Sequence, residues 1–144
     1  MAVMAEFLAR GYNVAIPEVD VGDDIFVVRD SDGKLNRIQV KTASAQTIDK
    51  GYRARFLVPF KQLQRPIHPE LHFVFVVRHE GSWKEFLVVS RAQLFEEYDQ
   101  NRIGTLSNQM LHLHFSFTAT DAICSKRSLQ TYRNNWSNWP EIMP

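Results

Sequence analysis

The chain has 144 residues, enough for one domain that buries a substantial core. Hydrophobic residues make up 44% and charged residues 23%, which excludes an intrinsically disordered chain. Seventeen Lys and Arg against 16 Asp and Glu leave a formal charge of +1, so a polyanion would have to meet a local patch, not a global field.

The N-terminal stretch Ala2 to Arg10 places Val3, Phe7 and Leu8 on one stripe and stops at Gly11. That pattern predicts a helix with a glycine C-cap, its first turn expected upstream of Met1. Glu6 and Arg10 interrupt the apolar stretch and no basic region precedes it, which argues against a signal peptide. No apolar run approaches the roughly 20 residues of a membrane span. Tyr12 to Ile16 then reads as a strand ending at Pro17.

Asp24 to Arg29 and Leu35 to Thr42 are two β-rich runs flanking the turn signal Asp30-Ser31-Asp32-Gly33, and they predict a hairpin. Ala54 to Val58 reads as a further strand, and Leu71 to Arg78 is apolar enough for a buried central one. Glu85 to Val89 follows after a Gly81-Ser82 turn. Ser90 is placed as the N-cap of a short helix from Arg91 to Tyr98. Leu111, Leu113, Phe115 and Phe117 alternate along a clean period-two strand. The polar, aromatic tail from Lys126 to Pro140 is expected to hold one helix and an extended end. No repeat or linker divides the chain, so residues 1–144 read as a single mixed α/β domain.

The hairpin concentrates the chemistry. Asp24 opens its first strand while Gln39 and Lys41 lie late in the second, so the antiparallel register brings them together. Gln39 and Lys41 are two residues apart and share a face, and Val40 points the other way into the core. A carboxylate beside an amide oxygen suits Mg²⁺, which takes the rest of its shell from water and phosphate. A neighbouring ammonium can orient or help deprotonate the attacking water and offset phosphate charge.

These residues carry a resemblance. Asp24-Ile25-Phe26-Val27-Val28 followed by Gln39-Val40-Lys41-Thr42 resembles the signature of the PD-(D/E)XK nuclease superfamily, an Asp at the start of one strand and an acidic-x-Lys triplet on the next. The Gln-x-Lys form is most similar to the subgroup of group I intron homing endonucleases and related bacterial proteins. The resemblance implies a restriction-endonuclease-like α-β-β-β-α-β core with a mixed central sheet, and Mg²⁺- or Mn²⁺-dependent hydrolysis of DNA phosphodiesters. It implies Asp24 as metal-binding acid, Gln39 in the second acidic position and Lys41 as catalytic lysine. Glu6 stands nearest to the metal-binding Glu that the family's first helix often supplies, and Asp20 reads either as a supporting acid or as a turn former. It also implies a homo-oligomer, because small members need a second subunit to engage both strands. The alternative is an inactive protein of the same fold that binds nucleic acid or serves as an assembly module.

A basic stretch follows. Lys50, Arg53, Arg55, Lys61 and Arg65 fall within sixteen acid-free residues interleaved with Tyr52, Phe56 and Phe60. They are candidate contacts to a nucleic-acid backbone, against the plainer reading of an edge strand protected by positive charge. The stretch from Ala122 to Pro140 is also acid-free and carries Lys126, Arg127, Tyr132, Arg133, Trp136 and Trp139; a nucleic-acid contact, a subunit contact and a packed capping tail all fit it. His68 and His72 are separated by Pro69, which disfavours a zinc pair on a helix, and His112 and His114 lie on a polar strand face. Cys124 is the single cysteine; it excludes a disulfide framework, reads as a small buried side chain, and suggests a reducing, cytoplasmic location.

Overall fold

The computed structural model of the protein describes residues 2–15, 25–28, 35–66 and 69–136. Helix α1 (Ala2–Ala9) ends in a Schellman motif. The Tyr12 N–H donates to the Phe7 carbonyl at 3.1 Å and the Gly11 N–H to that of Leu8 at 3.0 Å. Gly11 adopts φ +87°, the left-handed conformation the motif requires. The Phe7 and Tyr12 rings meet edge to face across the cap. Val3 and Phe7 are buried, but Leu8 is exposed and leaves the expected stripe. Val3 and Phe7 are four residues apart on one face, whereas Leu8 lies a further step around the helix.

Two sheets follow. The first has the order β1 (Asn13–Ala15), β2 (Ile25–Val28), β3 (Leu35–Ser44), β6 (Leu71–His79) and β7 (Ser82–Ser90). Its orientation is mixed: β3 and β6 run parallel, with Gln39 opposite Phe73 and Ser44 opposite Arg78, while the other pairs are antiparallel. The expected hairpin forms, with Ile25 opposite Ile38 and Val28 opposite Leu35. A parallel pair needs a crossover, and here β4 (Gln46–Ile48), β5 (Gly51–Pro59) and the short helix α2 (Phe60–Gln64) supply it. The order α1-β1-β2-β3-α2-β6 therefore matches the expected α-β-β-β-α-β core, with β4 and β5 inserted.

The second sheet includes two of the expected strands, Ala54 to Val58 within β5 and Leu111 to Phe117 within β9 (Met110–Phe117), but their pairing into a separate sheet and its short strands are not in the sequence pattern. It contains β4, β5 and β9, then β10 (Ala122–Cys124) and β11 (Arg127–Ser128), with β8 (Thr105–Ser107) also paired to β9. Leu71, Phe73, Phe75 and Val77 of β6 pack with Ala54, Phe56 and Val58 of β5 and with Leu111, Leu113, Phe115 and Phe117 of β9. Alternation along each strand puts these side chains on the inner faces. Phe56 meets Phe75 and Phe115 edge to face and the latter two are tilted to each other, a cluster with centroids 4.9 to 5.7 Å apart. On the outer face of the first sheet, Val74, Val76 and Val88 pack with Ile38, Val3, Phe7 and Trp136. The central strand β6 is thus buried on both sides, as its unbroken apolar run requires. Gly51 lets β5 approach β9: a Cβ there would lie 1.9 Å from the Phe117 carbonyl oxygen.

Helix α3 (Arg91–Asp99) begins as expected at Ser90. The Gln93 N–H donates to Ser90 Oγ, and the Gln93 side chain accepts from the Ser90 N–H, closing a capping box. Cys124 is buried, and burial pushes its thiol pKa up. The expected helix of the tail reduces to a 3₁₀ turn (Gln130–Tyr132) after β11, because Ser125 and Lys126 turn the chain with positive φ and Arg133 and Trp136 are drawn to opposite faces of the first sheet. Among the described residues no helix is long and apolar enough to cross a membrane.

A network at the far end joins the two sheets to the tail. Glu85 of β7 is 5% exposed at its side chain and holds Arg133 in a two-pronged pair, at 2.6 and 2.7 Å. The Tyr52 hydroxyl of β5 donates to Glu85, and the Tyr52 ring stacks on His79, which bonds Thr47 Oγ1 at 2.8 Å. Burial, and then Glu85 as acceptor and negative neighbour, push the Tyr52 phenol from 10.0 up to about 12. The folded protein therefore keeps a proton that the unfolded chain releases. The associated stability is fully present below about pH 10 and is lost as the pH rises through about 12. Chemical denaturation on either side of this window should show a larger loss for wild type than for Tyr52→Phe; equal losses would remove Tyr52 from the pH dependence.

Candidate functional site

Alternation along β3 sorts its side chains as the pattern requires. Ile38 is buried and Val40 half-buried against the α1 cluster, while Gln39 and Lys41 turn to the opposite face beside Phe73 and Phe75. Gln39 is buried, at 9% exposure. Its Oε1 accepts a 3.1 Å hydrogen bond from Gln62 Nε2 of α2. Lys41 is half-buried and has no ion-pair partner among the described residues.

Gln62 is held by a chain of contacts that begins in α3. Arg91, 7% exposed, donates through Nη1 to the Leu63 carbonyl at 2.7 Å and through Nε to Glu70 at 2.9 Å. The Leu63 carbonyl sits in the last turn of α2, where helix carbonyls lack intrahelical partners. Leu63 itself is fully buried between the layers. A helix of five residues has little stability of its own, so these contacts fix α2 and with it the Gln62 amide beside Gln39.

The other expected residues divide. Asp24 and Asp20 lie outside the described residues, as do His68 and Trp139. Glu6 is ion-paired with Arg10 on α1, which packs on the Ile38–Val40 side of β3, away from Gln39 and Lys41. Among the described residues no three His, Cys, Asp or Glu side chains gather as a metal site.

The basic stretch does not form one patch. Lys61 and Arg65 are exposed on and just after α2, beside Gln62. Arg53 and Arg55 are exposed on the outer face of β5, opposite Ser116 and His114 of β9, and Lys50 lies in the β4–β5 turn. His112 and His114 share that outer face, as their strand position predicts. Arg127, from the second acid-free stretch, pairs with Glu97 at 2.6 Å, and Trp136 is buried, so this stretch packs as a tail. Sequence reading missed Gln62, whose only signal was a polar residue beside buried Leu63.

No family model matches the chain, and no curated protein matches it. Among solved structures, it is similar to a bacterial homing endonuclease, I-Ssp6803I. The two are 21% identical, with a TM-score of 0.53, over 94% of this chain and 81% of that one. At this identity the likeness is one of fold.

Proposed function

We propose that the protein is a metal-dependent endonuclease of the PD-(D/E)XK kind, acting on DNA. The observation that carries this reading is the pairing of Gln39 and Lys41 on one face of β3, next to β2, in a fold similar to that of a homing endonuclease. The β2–β3 ladder is described as far as Ile25 opposite Ile38. The proposal takes it one pair further, so that Asp24 meets Gln39. A carboxylate and an amide oxygen are hard donors that fit Mg²⁺ or Mn²⁺, which when bound would offset phosphate charge and acidify a water. Glu6, engaged with Arg10 on the other side of β3, is left out of this donor set.

Within the reading, Lys41 donates to the attacking water or to a non-bridging phosphate oxygen and keeps it in line for displacement. Gln62 presents the Gln39 oxygen toward the site, and Lys61 and Arg65 meet the backbone of the same duplex.

A titration of plasmid cleavage against Mg²⁺ tests the reading at Gln39. An amide oxygen brings a dipole where a carboxylate brings a full charge. Gln39→Glu should lower the Mg²⁺ concentration for half-maximal cleavage, and Gln39→Ala should raise it. Turnover need not rise in Gln39→Glu, since the added charge also repels the substrate phosphate. One half-maximal concentration shared by all three proteins would remove Gln39 from the donor set.

A further inference from the structure

Strand β3 continues through Ala45 into β4, so a single stretch of chain borders both sheets: its first part pairs with β6 and its last part with β5. Their outer faces therefore join in one concave surface, a groove that includes Thr42, Ser44, Gln46, Arg53, Arg55 and His114. None of the groove residues is acidic. Ser44 links it to the first sheet, where Ser44 pairs with Arg78 and Arg78 with Trp83 of β7. The side chains of such a row point to one side. Arg78 bears this out by placing its guanidinium 5.9 Å from the centre of the Trp83 ring.

The resulting surface runs from Arg55 to Trp83 across three strand spacings, roughly 15 Å. Arg53, Arg55 and Arg78 have no ion-pair partner among the described residues. Trp83 is 46% exposed, a large aromatic surface with no place in the core. A β-bulge at Val77/Arg78 inserts one extra residue in β7, which sends Trp83 outward while Glu85 stays inside. The carboxylate nearest to Arg78 along the chain, Glu80, lies in the turn beyond it.

We infer that this groove binds an unpaired nucleic-acid strand, with Arg53, Arg55 and Arg78 on successive phosphates and Trp83 stacked on a base. Cations alone would suit any backbone. The exposed indole selects an unpaired strand, because only there is a base face open for stacking. Arg78 holds one face of the ring and leaves the rest to the base. The groove lies on the side of β3 away from Gln39 and Lys41, so it takes a different segment of nucleic acid from the one at the proposed site. The inference rests on the nuclease reading only for the identity of the polymer.

The test is fluorescence anisotropy with a labelled oligothymidylate and with a duplex of equal length, in EDTA, using the whole chain carrying Lys41→Ala as the parent. Binding is read without cleavage, so a failure of the nuclease reading and a failure of the groove are separable. The parent should bind the single strand, and Trp83→Ala should weaken that binding about 5- to 150-fold while leaving duplex binding unchanged. Trp83→Phe should recover most of the affinity. Arg53→Ala with Arg55→Ala should reduce the slope of log affinity against log salt by about 0.7 for each phosphate that is no longer neutralised. All these side chains are exposed, and unchanged melting temperatures would verify intact folds. Single-strand binding that survives Trp83→Ala, an equal weakening for strand and duplex, or an unchanged salt slope would each overturn the inference.

Discussion

Replacing Lys41 by Ala should reduce DNA cleavage by about 10²- to 10⁴-fold, the contribution of a positioned proton donor or acceptor. Duplex binding should stay within a few-fold of wild type. The split follows from position. Lys41 is half-buried beside Phe75, two residues from Gln39, and is one cation among several that a backbone can meet. The variant keeps the other cations that face the backbone but lacks the single ammonium aligned with the proposed water. Lys41→Arg keeps the charge in a larger, planar head that does not transfer protons, and should bind duplex as the wild type does without recovering the rate. A Lys41→Ala protein that cleaves at the wild-type rate would exclude this lysine from the reaction.

Arg133→Ala should be the most destabilising surface-to-core change in the tail. It leaves Glu85, 5% exposed at its side chain, with Tyr52 as its remaining hydrogen-bond donor in the network. Stranding one partner of a buried pair costs about 3–5 kcal/mol, whereas removing both partners is far cheaper. For a chain of 144 residues this is a fall in melting temperature on the order of 10 °C. Arg133 Nη1 also donates to the Thr118 carbonyl at 2.8 Å, so the variant loosens the β9–β10 connection as well. Thermal unfolding followed by circular dichroism measures it. The double variant Glu85→Met with Arg133→Leu should recover most of the stability, and a single variant as stable as wild type would show that the network contributes little.

The strands that reveal themselves in sequence are those with a long period or a long apolar run. The alternation of Leu111 to Phe117 and the unbroken run of Leu71 to Val77 each follow from where their faces are buried. Ser90 with Gln93 announces α3 because a capping box is a local interaction. The three-residue strands β4, β8 and β10 and the two-residue β11 carry no measurable period. They join the sheet through short hairpin turns onto β5, β9 and β10, and the pairing that makes the sheet, β5 with β9, is between strands distant in sequence and so leaves no local signal.

The same division holds at the site. That Gln39 and Lys41 share a face is legible, since it needs only the two-residue repeat of a strand. That Gln62 bonds Gln39 is not, since it depends on a five-residue helix fixed by Arg91 from 28 residues away. Arg53, Arg55, Lys61 and Arg65 look like one patch because they are close along the chain. The strand ends at Pro59 and turns into α2, and this junction sends the two pairs to different surfaces. Trp83 carries no signal in sequence because only the bulge at Arg78 turns it outward.

We propose that this chain hydrolyses phosphodiesters with a divalent metal. Incubating the purified protein with supercoiled plasmid in Mg²⁺, in Mn²⁺ and in EDTA, beside Asp24→Ala, tests it most directly. Nicked or linear DNA is expected from the wild type with either metal, with none in EDTA and none from the variant. Plasmid left intact by the wild type in both metals, at protein concentrations where it binds the DNA, would exclude metal-dependent hydrolysis and leave a nucleic-acid-binding module of nuclease fold.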